Sequence, residues 1–156
     1  MIRLVIWLAL SFAIAQIRQR TVPAATLRRY AMIRQPGDAR VMRGIAIAMF
    51  FVSVLLPTQS NWLLTLAGYN LMISGQSLLG WAMQANPYYS PAITAPPVIA
   101  AGGPYRYFRH PAYLGHAASI LGVWLVWQSV YALPFLLAFW GLLVWRSRRE
   151  SILLAG

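Results

Sequence analysis

The chain has 156 residues, 60% of them hydrophobic and only 10% charged, with a mean hydropathy of +0.59 and a formal net charge of +11. A soluble domain carries about 25% charged residues, so this chain lacks the charge to cover a water-facing surface, and its apolar content excludes disorder. There is no Cys, which excludes a disulfide framework, thiolate metal sites and a Cys nucleophile.

The charge is segregated. All 13 basic residues are Arg, and residues 44–105 and 111–145 contain no Asp, Glu, Lys or Arg. A nucleic-acid-binding surface would spread its Arg along an exposed face. Here they are expelled into short segments between long apolar runs, the pattern that hydrocarbon imposes. A spanning helix needs about 20 apolar residues, and on that length the chain divides into a single all-α transmembrane domain, residues 1–156, with five spans.

The first span is residues 1–17, MIRLVIWLALSFAIAQI. Ala13-Ile14-Ala15 resembles a signal-peptide cleavage site, but the heavier positive flank follows the apolar run, which favours a retained helix. Residues 18–43 then hold Arg18, Arg20, Arg28, Arg29, Arg34, Arg40 and Arg43. Leu27, Tyr30 and Ala31 can share one helical face with Arg28 and Arg29 turned away, as in a short helix on an anionic membrane surface; a plain topogenic loop is the simpler reading. The second and third spans, near 43–57 and 62–84, are divided by the turn cluster Pro57-Thr58-Gln59-Ser60-Asn61. The third carries Asn70, Gln76 and Gln84, which at membrane depth must face other helices or a cavity.

Residues 85–111 contain six of the ten Pro, so they form a Pro-rich loop and no continuous helix. The loop is uncharged up to Arg106 and rich in Tyr, and an apolar irregular stretch at a membrane face must pack on protein or line a cavity. The fourth and fifth spans, near 112–128 and 130–145, part at Gln128-Ser129, and so short a connection makes them a hairpin. Gly115 and Ser119, like Ala118 and Gly122, have the small-residue spacing that lets helices approach closely, and such a face leaves room for a homo-oligomer. Pro134 falls in a first turn, where it is tolerated. Five crossings put every Arg except Arg3 on one side, which the positive-inside rule makes cytoplasmic. The N-terminus is then outside and the C-terminus inside.

The ionisable groups available for chemistry are few: two His, one Asp and one Glu besides the arginines. His110 and His116 do not share a helical face and have no carboxylate near them in sequence, which argues against a metal site. No Gly-x-Ser-x-Gly elbow, phosphate loop or dinucleotide fingerprint is present. What remains is residues 103–115, GPYRYFRHPAYLG, at the cytoplasmic entry of the fourth span, with Arg146 and Glu150 at the cytoplasmic exit of the fifth. Taken singly, Arg106 and Arg109 are topological anchors, His110 is an interfacial histidine, and Arg146 and Glu150 are an i,i+4 helix-end pair. Clustered beside the proline-broken loop, they favour a zwitterionic or anionic ligand. Asn86, Tyr88, Tyr89 and Tyr105 of that loop are the candidate substrate-binding residues.

The stretch 103–115 resembles the Arg-His-Pro-x-Tyr-x-Gly motif of the isoprenylcysteine carboxyl methyltransferase and phospholipid methyltransferase superfamily of small membrane enzymes. The resemblance runs from about Gly80 to the end, through Trp81-Ala82-Met83, Asn86-Pro87-Tyr88-Tyr89-Ser90-Pro91 and the tail WRSRRESILL, which look like bacterial members. It implies a multi-pass protein of the bacterial inner membrane that binds S-adenosylmethionine between its last two helices on the cytoplasmic side and releases S-adenosylhomocysteine. By the motif, Arg109, His110, Tyr113 and Gly115 fall at the cofactor pocket, with Leu114 beside the adenine region and Arg146 and Glu150 completing it. Arg109, His110 and Glu150 are the candidate catalytic residues. Glu150 matches the first of two adjacent Glu of the family signature; the second position is Ser151 here, and the family usually continues for a few dozen residues where this chain stops at Gly156.

Methyl transfer from a sulfonium is a direct displacement that asks for alignment and exclusion of water more than for ionisable groups, in keeping with this composition. Arg or His suits the donor's carboxylate and Glu150 its ammonium. The acceptor is a lipid amine, an isoprenylated thiol-derived carboxylate or a small hydrophobic thiol, entering sideways from the membrane lipids. A pre-ionised acceptor is favoured, because no residue stands ready to deprotonate an amine. The rival reading is an inactive relative that serves as a membrane scaffold or partner subunit, which Ser151 and the short tail favour. A transporter would need intramembrane charges and a repeat, and the sequence has neither.

Overall fold

The computed structural model describes residues 2–32, 36–56, 58, 61–86, 88–90 and 100–153, the side chain of Tyr30 excepted. Within them the chain is helical, without strands: α1 (Ile2–Thr21), α2 (Ala24–Met32), α3 (Gly37–Leu55), α4 (Trp62–Ala85), α5 (Pro111–Trp127) and α6 (Leu133–Leu153), with short 3-10 turns at Gly103–Arg106 and Val130–Ala132. Two helical stretches, Ile2–Thr21 and Val130–Leu153, are long and apolar enough to cross a membrane by length and composition. Arg34, Pro57, Gln59, Ser60, Pro87, Pro91, Pro96 and Pro97, all used in the sequence reading, lie outside the described residues.

The helices run past the apolar windows that announce them. The third helix starts at Gly37, well before position 43, and carries Asp38 in its first turn, where a carboxylate is favoured by the helix dipole. The sixth continues through Arg146, Arg148 and Arg149 to Leu153. The stretch 18–43 is not a plain loop, because α2 forms within it. Its packed side differs from the expected one: Val22 and Thr26 are buried, and Val22 clusters with Leu79, Met83 and Ala112 while Leu27 packs alongside. Ala31 is exposed, and the side chain of Tyr30 is outside the description. Pro23 and the short α1–α2 connection turn α2 so that the residues just before and inside its first turn meet α4.

The tightest packing is between α4 and α5, which lie antiparallel with glycines opposed. A Cβ added at Gly115 would sit 2.7 Å from the carbonyl oxygen of Gly75, and one at Gly122 would sit 2.6 Å from that of Gly68. Ser119 fits the same seam: its hydroxyl donates to the Gly115 carbonyl at 2.7 Å and accepts from the Gln76 amide at 3.1 Å. The expected close hairpin of α5 with α6 is therefore second to this one. The sixth helix rests more on α3 than on α5. Because Gly115, Ser119 and Gly122 are buried against α4, the small-residue face is taken up within the chain and is not open to a second copy. Of the polar residues of α4, Gln76 reaches Ser119, Asn70 bonds its own Leu66 carbonyl, and Gln84 is exposed.

Two polar ties set the bundle at the opposite end from Arg146. Asn61 caps α4, its side-chain oxygen accepting from the Leu63 and Leu64 amides at 3.0 and 3.3 Å. Gln128, held in the left-handed region at φ 53 after α5, accepts from the Asn61 amide at 3.0 Å and donates to the Asn61 carbonyl at 2.8 Å. The first helix is drawn in by Tyr69, whose hydroxyl donates to the Arg3 carbonyl at 2.9 Å, and by Arg3, which donates to the Val126 carbonyl at 3.2 Å. Farther along α1, Trp7 stacks on Phe50 with ring centroids 4.4 Å apart.

Candidate functional site

A cavity of about 560 Å³ opens among α1, α3, α4, α5 and α6, within the size range of small-molecule sites. One end is charged, with Arg18, Arg43, Arg109, His110, Arg146 and Glu150 in its wall; the other is apolar, with Trp7, Met72, Ile120, Val123 and Phe139.

The charged end is built by the start of α5 and the end of α6. Pro111 occupies the first turn of α5, and His110 precedes it without capping the helix, so its imidazole is free to turn to α6. There Nε2 lies 2.8 Å from the Ser151 hydroxyl and Nδ1 lies 3.5 Å from the Glu150 carboxylate. One turn along α5, Tyr113 packs near His110 with ring centroids 5.7 Å apart, and its hydroxyl faces Arg146 and Glu150. Arg146 is buried, and its guanidinium donates to the carboxylate of Asp38 on α3. A buried charge needs such a partner. Asp38 is the residue that sequence reasoning missed. Its only signal was being the one Asp in an arginine-rich stretch, and its partner lies 108 residues away.

The loop residues converge on the same end. The Asn86 side-chain amide lies 3.5 Å from the Tyr105 hydroxyl, and its oxygen accepts from the Tyr88 amide at 2.9 Å. The guanidinium of Arg29 on α2 lies 4.9 Å from the Tyr88 ring centroid, a cation–π geometry. Tyr89 and Tyr105 pack on the Val22–Met83–Ala112 cluster. Burial pushes the Tyr105 phenol above its usual 10.0, the Glu150 charge adds to this and the Asn86 bond opposes it. Asn86, Tyr88, Tyr89 and Tyr105 all line the cavity, as do Arg109, His110, Tyr113, Arg146 and Glu150.

Two expected site residues are placed elsewhere. Leu114 is exposed and Gly115 is buried against Gly75, and neither lines the cavity. Each residue advances a helix by about 100°, so when Tyr113 faces the cavity the next two positions turn away from it. Arg106 is exposed and outside the lining. The wall also includes His116, Gln76 and Ser119. Among the described residues, no group of three or more His, Asp or Glu is placed to hold a metal ion.

A family model described as phospholipid methyltransferase matches residues 63–155. This is more than half of the chain and takes in nearly all of α4 and everything through α6. The helices α1, α2 and α3, with Asp38, lie outside it. No curated protein and no solved structure gives a significant match.

Proposed function

The chain belongs to the phospholipid methyltransferase family, and from that premise we propose an integral-membrane enzyme that uses S-adenosylmethionine to methylate a lipid or small hydrophobic acceptor at the cytoplasmic membrane face. The observation that carries this reading is a single cavity that joins a charged end, drawn from the start of α5 and the end of α6, to an apolar interior. In this reading α1, α3, α4, α5 and α6 are the five crossings of one domain. The N-terminus is outside, the arginine-rich ends are inside, α2 lies along the surface, and residues 85–111 are on the cytoplasmic side of a bacterial inner membrane.

The residues present fit the donor. Its ammonium has Glu150, with the Tyr113 hydroxyl beside it; its carboxylate has Arg109 at the mouth; and its nucleoside has the apolar wall. When bound, the group supplies an electrophilic methyl on a sulfonium. The protein's part is alignment and exclusion of water. Ser151 and Glu150 fix the His110 ring between them. Asp38 holds Arg146 in place under Tyr113. Gly115 serves the packing of α5 on α4, and Leu114 stands exposed beside it.

A second reading, an inactive relative acting as a scaffold or partner subunit, draws on Ser151, whose bond to His110 at 2.8 Å occupies the position of the family's second Glu. One experiment separates the two. The purified chain in lipid is incubated with methyl-labelled donor, and the organic phase is extracted. The enzyme reading expects label in the lipid fraction and heat on titration with S-adenosylhomocysteine; the absence of both overturns it.

A further inference from the structure

Resting on the methyl-transfer reading of the cavity, we propose that Gln76 of α4 reads the adenine edge of the methyl donor, with Ser119 of α5 holding the amide in the orientation that adenine requires.

Gln76 lines the cavity one helical turn from Met72 of its apolar end. Its amide nitrogen donates to the Ser119 hydroxyl at 3.1 Å, and that hydroxyl donates to the Gly115 carbonyl at 2.7 Å. A serine hydroxyl has one hydrogen to give. Because Gly115 takes it, Ser119 can only accept from Gln76, and the amide cannot turn over without losing that bond. Ser119 is itself buried in the α4–α5 seam, so the orientation is set by the tightest packing in the bundle. It leaves the side-chain oxygen and the second N–H of Gln76 without a partner among the described residues. A bare carbonyl oxygen at membrane depth is costly, and one placed on a cavity wall calls for a ligand that brings the donor.

A free oxygen beside a free N–H on one amide is the complement of adenine, which presents its N6 amino group as donor next to N7 as acceptor; Gln makes this same two-bond pairing with adenine in nucleic acids. The surroundings suit a base as well. Trp7, Ile120 and Phe139 belong to the apolar wall of the same cavity, and aromatic side chains hold bases by stacking. The level along the helix also fits. Ser119 lies nine residues along α5 from His110, about 14 Å on the helix axis. A donor with its amino-acid end at Glu150 runs inward through its sulfonium and ribose and brings the base to this level. Leu114, which the motif would set beside the base, is exposed and outside the cavity. Asn70 and Gln84, the other side-chain amides within α4, do not line it either.

The probes are S-adenosylhomocysteine, S-inosylhomocysteine, in which oxygen replaces the amino group, and S-tubercidinylhomocysteine, in which a C–H group replaces N7. Each is titrated into the full chain in a neutral detergent and followed by calorimetry. The wild type is expected to bind S-adenosylhomocysteine about tenfold or more tighter than the inosyl compound, and about fivefold or more tighter than the tubercidinyl one. Gln76→Met, which keeps the length without the amide, is expected to bring the three within about threefold of one another. Its affinity for S-inosylhomocysteine should stay within about threefold of the wild type, which shows that it has folded; Gln76→Leu is the second such variant. Equal affinity of the wild type for all three ligands, or a wild-type preference kept by Gln76→Met, overturns the inference and leaves the donor reading standing. Loss of all three ligands by both variants makes Gln76 a packing residue and overturns it too. Wild type that binds none of the three removes the methyl-transfer reading, and the adenine contact with it.

Discussion

The guanidinium of Arg146, near the end of α6, is bonded to the carboxylate of Asp38, in the first turn of α3, and the two side chains are only 5% and 19% exposed. The pair joins the helix that carries Glu150 to a helix outside the family-matched region. Removing one partner of a buried pair costs about 3–5 kcal/mol, because the other charge is left uncompensated. Asp38→Asn is therefore expected to lower the thermal unfolding midpoint in detergent sharply. The double substitution D38L/R146M, which removes both charges, is expected to recover most of the loss. A midpoint for Asp38→Asn equal to that of the wild type would show that the pair contributes nothing.

The α4–α5 seam makes a prediction of opposite signs for one kind of substitution. A methyl at Gly75 would lie 2.6 Å from the Gly115 carbonyl oxygen, whereas one at Gly141 on α6 meets nothing within 4 Å. Overpacking a tight contact costs about 1–3 kcal/mol, and Gly to Ala in an open helical position gains up to about 1 kcal/mol. Gly75→Ala should destabilise and Gly141→Ala should not. If both shift the midpoint in the same direction, the glycines at 68, 75, 115 and 122 are not a packing seam.

The five long helices were written in the sequence, because runs of apolar residues bounded by Asn61, Gln128 and the Pro-rich stretch report them locally, whereas the short α2 falls where a plain loop was the simpler reading. The partners of those helices were not. Gly115, Ser119 and Gly122 announce a close approach but not to which helix, and the missing information lay in Gly68 and Gly75, at the matching spacing on α4. For the site, Arg109, His110, Tyr113 and Glu150 were legible as a motif and do converge on the cavity. Leu114 and Gly115, inside the same motif, do not, since a run of adjacent residues on a helix cannot all face one way. Asp38 was illegible because nothing in the chain's local pattern says that a lone acid among arginines will pair with a residue of the last helix.

Gln128 clamps the far end of the bundle through a side chain that meets both the amide and the carbonyl of Asn61. It does so from the left-handed region. Gln128→Ala keeps the Cβ, and with it the left-handed strain that Gln already bears, so its cost reads the clamp, about 1–3 kcal/mol for backbone groups left without partners. Gln128→Gly loses the same clamp but relieves that strain, by about 1–2 kcal/mol. Against the wild type, the unfolding midpoint should fall for Gln128→Ala, and it should stand higher for Gln128→Gly than for Gln128→Ala. Reversal of the last two would mean that φ at this position is not constrained in the folded protein.

The final prediction separates the motif as written from the motif as folded. Glu150 lies at the cavity with its carboxylate 3.5 Å from His110, where it can meet the donor's ammonium. A hydrogen bond to a charged group contributes about 1.5–3 kcal/mol, so Glu150→Gln should weaken S-adenosylhomocysteine binding by about tenfold to a hundredfold. Leu114→Ala, although it lies within the Arg-His-Pro-x-Tyr-x-Gly stretch, removes a side chain that is 46% exposed and outside the cavity. Calorimetry should find its affinity within about twofold of the wild type. If the order is reversed, with Leu114→Ala the more damaging, then the donor binds on the outer face of α5 and the cavity described here is not its site. Equal binding by the wild type and Glu150→Gln would remove Glu150 from donor recognition, leaving its contact with His110 as a structural tie between α5 and α6.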